Sequence, residues 1–188
     1  MSDNALPIDL DKPLYSSRLI DTYVKYIKVH LSHVDINTFL RSANMEPCEV
    51  ADENHWFSQR QVNTFHERLR SITGNQDIAR QVGRFAASPG VLGQIRLYTI
   101  GLIGPAKAYE MIGKYAMNLT RSSRHNARKI SRNKVEISVI QNPGVKEMPF
   151  QCENRMGYFE AIATVFNHTL PSIEHKECVF KGGQRCVY

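Results

Sequence analysis

The feature that most restricts the fold of this chain is a change of hydrophobic period after Thr120. Before it, apolar residues recur at helical spacing. After it, Val135, Ile137 and Val139 alternate with Glu136, Ser138 and Ile140, the period of a half-buried strand. Helices crowd the first two thirds and strands gather in the last third. That order predicts an α+β fold, with a helical layer on an antiparallel sheet, rather than a βαβ relay. The 188 residues fit one domain of ordinary size, and 42% hydrophobic with 22% charged residues excludes wholesale disorder.

Element boundaries follow from local chemistry. Residues 1–13 read as a flexible arm, and 14–188 as the domain. Tyr15 to Leu31 carries helical spacing, and Asp35 is placed to cap a short helix through Phe39 and Leu40. Pro47 to Asn54 reads as an acidic connection. Ser58 stands three residues before Gln61, a capping-box spacing, and Val62, Phe65, His66, Leu69 and Ile72 then share a face up to Gly74. Asn75 is positioned to cap the next helix, with Ile78, Val82 and Phe85 inward. Ser88-Pro89-Gly90 breaks it. Gly93 to Ile103 fits helix or strand, and Pro105 suits the first turn of a helix to about Leu119. Asn142-Pro143-Gly144 is a turn, and Asn154 to Phe166 a helix.

Charge and apolar runs narrow the function classes. No apolar run approaches the roughly 18–20 residues of a membrane span, and the polar, acidic start is not a signal peptide. A cytoplasmic setting with reduced thiols is expected. The net charge is +6, and six cations (Arg121, Arg124, Arg128, Lys129, Arg132, Lys134) lie between Thr120 and Val135 without an acid. The stripe fits a phosphate-binding surface, a solvated hairpin or a docking face. Nucleic acid is not the expected partner, because interleaved aromatics are missing there.

The most specific spacing is His175-x2-Cys178-x7-Cys186, with Cys152 upstream. Three cysteines and one histidine make a closed tetrahedral set for structural zinc. A loop over Lys181–Gly183 would pair Cys178 directly with Cys186, as that set prefers. Buried reduced cysteines and a Cys178–Cys186 disulfide remain open on spacing alone. Cys48 fits none of these. No phosphate-binding glycine loop, Ser/His/Asp order or paired-carboxylate motif is legible, so no catalytic residue is assigned.

Cys152-x4-Gly157-Tyr158 followed by His175-x2-Cys178-x7-Cys186 resembles the 4-vinyl-reductase-like small-molecule-binding domain, the effector-sensing half of phenol- and toluene-responsive bacterial activators. In that family the matching positions are Cys, Glu, Cys and Cys and bind structural zinc. Here His175 stands in place of the acid. The stretch from His55-Trp56-Phe57-Ser58-Gln59 through Glu153-Asn154-Arg155 is also similar to N-terminal sensory regions of bacterial histidine kinases. The resemblance covers about residues 15–188, with its firm motif in the last 37. It implies a twisted sheet under a helical layer, similar to small subunits of the TRAPP tethering complex, and a homodimer. It also implies a sensory module feeding an output domain beyond Tyr188, with zinc held by Cys152, His175, Cys178 and Cys186.

A small, mostly apolar ligand would then sit between helices and sheet. The candidate walls are Trp56, Phe65, His66, Phe85, Tyr98, Tyr109, Met111 and Tyr115; the same residues would equally make a plain core. The other readings are a TRAPP-like interaction module without ligand, a reductase, and a redox switch at Cys178 and Cys186. Four protein ligands on zinc leave no place for substrate, which counts against the reductase.

Overall fold

The helix starts are set by side chains that satisfy orphan backbone N–H groups. In a computed structural model of the chain, which describes residues 7–131, 134–167 and 171–188, Ser16 closes β1 (Pro13–Ser16) and caps α1 (Ser17–His30) through Arg18 N–H. Asp35 caps α2 (Ile36–Ser42) through Asn37 N–H. The Pro47–Asn54 connection instead holds a short helix, α3 (Pro47–Ala51). Proline suits its first turn, and Glu46 and Glu49 cap each other's backbone.

Strand β2 (Trp56–Ser58) pairs antiparallel with β1. Ser58 and Gln61 form the expected capping box of α4 (Gln59–Thr73), and Gly74 ends it in the left-handed region at φ 62°. Ile72 departs from the expected buried face and is 49% exposed, in the last turn. The next N-cap is Asp77, not Asn75; the Asn75 side chain accepts from Asp77 N–H in the lead-in turn to α5 (Ile78–Ala86).

Short α6 (Pro89–Leu92) follows the predicted break. Gly93–Ile103 resolves as helix α7 (Gln94–Ile103), and α8 (Pro105–Tyr115) ends in a 3-10 turn over Ala116–Asn118. Strands β3 (Ser123–Ser131) and β4 (Lys134–Gln141) form a hairpin from the basic stripe and the alternating segment. Helix α9 (Pro149–Asn167) starts five residues before the expected Asn154, because Pro149 opens it and Gln151 accepts from Met148 N–H. Strand β5 (Cys186–Val187) completes a sheet of order β3-β4-β5, antiparallel throughout. The α+β expectation holds: helices pack on a small antiparallel sheet.

Two cores result. The first gathers Tyr23, Ile27, Phe39, Leu40, Phe57 and Phe65 from the N-terminal helices and β2. The second packs Met156, Phe159 and Ile162 of α9 against Ile137 and Val139 of β4, with Tyr109 of α8. Burying a side chain such as Phe159 contributes about 2–3 kcal/mol.

Helices α5 and α9 join the two halves, and they do so at backbone contact. Gly83 lies against Asn154 O and Gly157 against Arg80 O. Above the crossing, buried Glu160 receives Arg80 and, at 2.6 Å, Arg84. Beside it, Asn154 donates to Tyr23 Oη and to Ala79 O. The end of the N-terminal arm is also held: Arg60 on α4 pairs with Asp11 and donates its N–H to Leu10 O.

Among the described residues no helix is long and apolar enough to cross a membrane.

Candidate functional site

The second core contains a polar corner where α9, the C-terminal turn and β5 meet. Cys152 sits in the first turn of α9. Cys186 lies opposite Val139 in the β4–β5 pairing, on the inward face. Glu177 lies opposite Val187, so Cys178 falls opposite Cys186, the register the spacing favours. Between them the chain turns through Val179–Lys181 and Gly182, whose φ of 86° suits glycine. A β-carbon at Gly183 would stand 2.7 Å from Glu177 Cγ and 3.0 Å from Cys178 O, so the turn closes tightly.

The candidate donor atoms of Cys152, His175, Cys178 and Cys186 all lie within 4.8 Å of one another. All three cysteines are buried and free, and Cys152 Sγ is 3.4 Å from Cys186 Sγ. The His175 ring stacks on Tyr188 at 4.4 Å. Cys48 lies apart and exposed.

The pKa values of the two close thiols are shifted in opposite directions. A hydrogen bond from Cys152, with Val179 N–H, His175 and Tyr188, pulls the Cys186 pKa down. Cys152, the donor, is pushed up by that same bond and by burial. The two shifts share one cause, the contact of the two sulfurs, so the pair favours ionisation of a single sulfur with the other as its donor.

Two residues beside this corner carry no local sequence signal. Arg155 is enclosed next to Cys152 and Tyr188 and pairs with Glu147, itself 2% exposed. Glu147 also accepts from Ser122 Oγ at 2.6 Å. Tyr15 of β1 continues the polar path, bonded to Gln59 and Gln151. Buried Tyr188 has its hydroxyl pKa raised, chiefly by burial.

The seven candidate wall residues whose side chains are described lie in different parts of the fold. Phe65 is in the first core, edge-on to Phe39 and Tyr23. His66 stacks on Phe150 at 4.0 Å. Phe85 packs on Tyr26 and His30. Half-buried Trp56 lies under the Arg121 guanidinium at 3.7 Å. Tyr109 is in the second core and donates to Phe159 O at 2.7 Å. Met111 is half-buried, Tyr115 is 60% exposed, and the Tyr98 side chain lies outside those described. Two depressions among the described residues are a cleft of about 310 Å³ between α8 and β3 and a hollow of about 180 Å³ on the outer sheet face. Of the seven whose side chains are described, none lines either one.

Two inward histidines are held neutral. Burial lowers the pKa of His66 to about 4. His125 is likewise lowered to about 4, chiefly by burial and then by Arg155. An unfolded histidine protonates near pH 6.5, so the unfolded chain takes up these protons first as pH falls. Stability is full above about pH 6.5 and declines as pH drops toward 4, by up to about 3 kcal/mol for His66. Urea unfolding at pH 7 and pH 4.5 measures the loss, and His66→Leu is expected to flatten the profile.

No family model matches the chain, and no curated protein matches it. Solved structures do. An H-NOX protein from S. oneidensis in the Fe(II)NO state superposes with a TM-score of 0.67 at 12% identity, over 92% of this chain and 96% of that one. A protein described for modulation of heme redox potential through porphyrin distortion gives 0.66 at 16%, over 92% and 97%. An oxygen-binding H-NOX domain related to soluble guanylate cyclases gives 0.57 at 17%, over 92% of each chain. These neighbours correct two expectations. They are H-NOX structures rather than the 4-vinyl-reductase-like domain expected from the motif. Heme is the group described with the second of them, and this overturns structural zinc as the expected cofactor. In fold, the chain is similar to H-NOX domains along 92% of its length.

Proposed function

We propose that this chain is the sensory module of a signalling protein and that its responsive centre is the thiol–imidazole corner. The observation that carries the reading is the convergence of Cys152, His175, Cys178 and Cys186, with Cys152 Sγ 3.4 Å from Cys186 Sγ. The H-NOX neighbours, described in NO-ligated and oxygen-binding forms and related to soluble guanylate cyclases, support sensing of a small reactive molecule.

Among the described residues, none offers heme a fitting site. A heme iron needs an axial donor such as imidazole facing space for the macrocycle. The Nε2 atoms of His66 and His175 are unpartnered, but both are sealed by protein and their rings are stacked on Phe150 and Tyr188. Tyr109 spends its hydroxyl on Phe159 O. The second core fills the space between α9 and the sheet, and His125, which lines the cleft between α8 and β3, has its Nε2 against Ser123 Oγ at 3.2 Å. No step is therefore assigned to heme.

The chemistry proposed is two-electron oxidation by a hydroperoxide. The Cys186 thiolate attacks the peroxide oxygen, the O–O bond breaks, and protonation of the departing oxygen releases water, leaving a sulfenic acid. The Cys152 sulfur then attacks that sulfur as its thiol proton leaves, and a second water departs. In total, two thiols and one hydrogen peroxide give one disulfide and two waters. The sulfurs close from 3.4 Å to about 2.05 Å, which draws β5 toward the first turn of α9.

The test is peroxide treatment of a Cys48→Ser protein with peptide mapping. A Cys152–Cys186 disulfide is expected, with Cys178 still free. Cys152→Ser is expected to stop at the sulfenic acid. Persistence of all three thiols would sink the reading. Incubation with hemin is the second arm: a stoichiometric Soret-absorbing complex would return the module to heme-based sensing.

Within this reading the module works as a cytoplasmic homodimer that passes its state to a histidine-kinase output. The resemblance of the His55–Gln59 and Glu153–Arg155 stretches to kinase sensory regions supports that output. A native mass of one chain would remove the dimer.

A further inference from the structure

The thiol corner leaves the outward face of the sheet unused. Strands β3 and β4 pair Arg124 with Ile140, Asn126 with Ser138 and Arg128 with Glu136. Alternation puts these pairs on one face, opposite the buried Ile137 and Val139. Arg128 bonds Glu136 at 2.7 Å, and Lys176 and Arg185 also lower the pKa of that carboxyl. One carboxylate is thus surrounded by several cations. Arg185 has Glu177 at 3.4 Å, but Arg124 and Lys176 have no ion-pair partner among the described residues.

We propose that this face is a docking surface for an acidic protein segment whose carboxylates alternate with apolar side chains. Charge complementarity carries the sign, since Lys176 beside Glu136 and Arg124 beside Ile140 are left without an acidic partner on a face whose one carboxylate is already satisfied by guanidinium. Ile140, 45% exposed beside Arg124, carries the apolar half. The hollow of about 180 Å³ among Arg128, Glu136, Ser138 and Arg185 gives a side chain a place to seat. No aromatic ring lies among the paired residues of this face, so it offers no stacking platform for nucleic-acid bases. The cations also protect β3, the end strand of the sheet, from pairing with other strands. The inference concerns what the module binds and does not depend on the thiol chemistry.

The experiment titrates purified protein against three fluorescent probes: an amphipathic glutamate–leucine peptide, poly-glutamate, and a DNA duplex. The glutamate–leucine peptide is expected to bind most tightly. Charge reversal by Arg124→Glu with Lys176→Glu is expected to weaken it about tenfold. Arg68→Glu, an exposed cation on α4, changes net charge elsewhere and is expected to have a smaller effect. Ile140→Ser is expected to weaken the glutamate–leucine peptide and spare poly-glutamate. Equal losses from Arg68→Glu would reduce the result to net charge and overturn the proposal. Tighter binding of the DNA duplex, lost in the same double variant, would overturn it in favour of nucleic acid. Absence of peptide binding would also overturn it.

Discussion

Replacing Gly157 by alanine is expected to destabilise the protein by about 3 kcal/mol or more. For a chain of 188 residues this lowers the thermal midpoint by about 10 °C. The added carbon would stand 2.0 Å from Arg80 O, 2.8 Å from Arg80 C and 3.0 Å from Arg84 N. All three are backbone atoms, so no flexible side chain can yield; α5 and α9 must separate. Gly83→Ala meets Asn154 O at 2.0 Å from the other side and is expected to cost as much. Separation also pulls Arg80 and Arg84 from Glu160 and Asn154 from Ala79 O. Gly101→Ala is the control. Its added carbon meets only Val165 Cγ1 at 3.8 Å, and alanine favours the helix by up to about 1 kcal/mol. Thermal melts of the three variants decide the matter, and a neutral Gly157→Ala would refute the close crossing.

The second large effect is expected at Arg155. Arg155→Met strands Glu147, whose side chain is 1% exposed, without its cation. An unpaired buried charge costs about 3–5 kcal/mol. Glu147→Gln strands Arg155 and is expected to cost a similar amount, although Ser122 still bonds the amide position. The double variant removes both charges and is expected to recover a substantial part of the loss. Additive losses in a double-mutant cycle would show that the pair does not act as a unit. Because the pair is enclosed, 1 M salt is expected to change the single-variant losses little. Arg155 also lies beside Cys152 and Tyr188, so the single variant is expected to slow peroxide oxidation of the thiols as well.

Parts of this architecture were legible in the residues. Ser58 with Gln61, Asp35, and Gly74 gave helix ends correctly, because a cap is satisfied within a few residues of itself. Asn75 failed for the same kind of reason, since a polar side chain can serve the lead-in turn as well as the cap. The Pro47–Ala51 helix was missed because its cap uses Glu46 rather than a short polar residue. The convergence of Cys152, His175, Cys178 and Cys186 could be anticipated from spacing. The metal expected there could not, since thiolate pairs serve redox chemistry as well. The residues named as an apolar wall are spread through the fold, because residues suited to a pocket are also suited to a core. Phe65 and Tyr109 fill different cores, while Tyr115 faces solvent.

The sequence by itself determined the α+β order, the starts of α2, α4 and α8, the alternation of β4 and the candidate set of three cysteines with a histidine. The order, the helix starts and the alternation rest on contacts between near neighbours or on a strict period, and the cysteine set on ligand spacing. Only the tertiary structure decided the glycine crossing of α5 and α9, the burial of Arg155 with Glu147, and which strand face remained bare. Those depend on which distant segments come within a few ångströms of each other, and no local propensity records that approach.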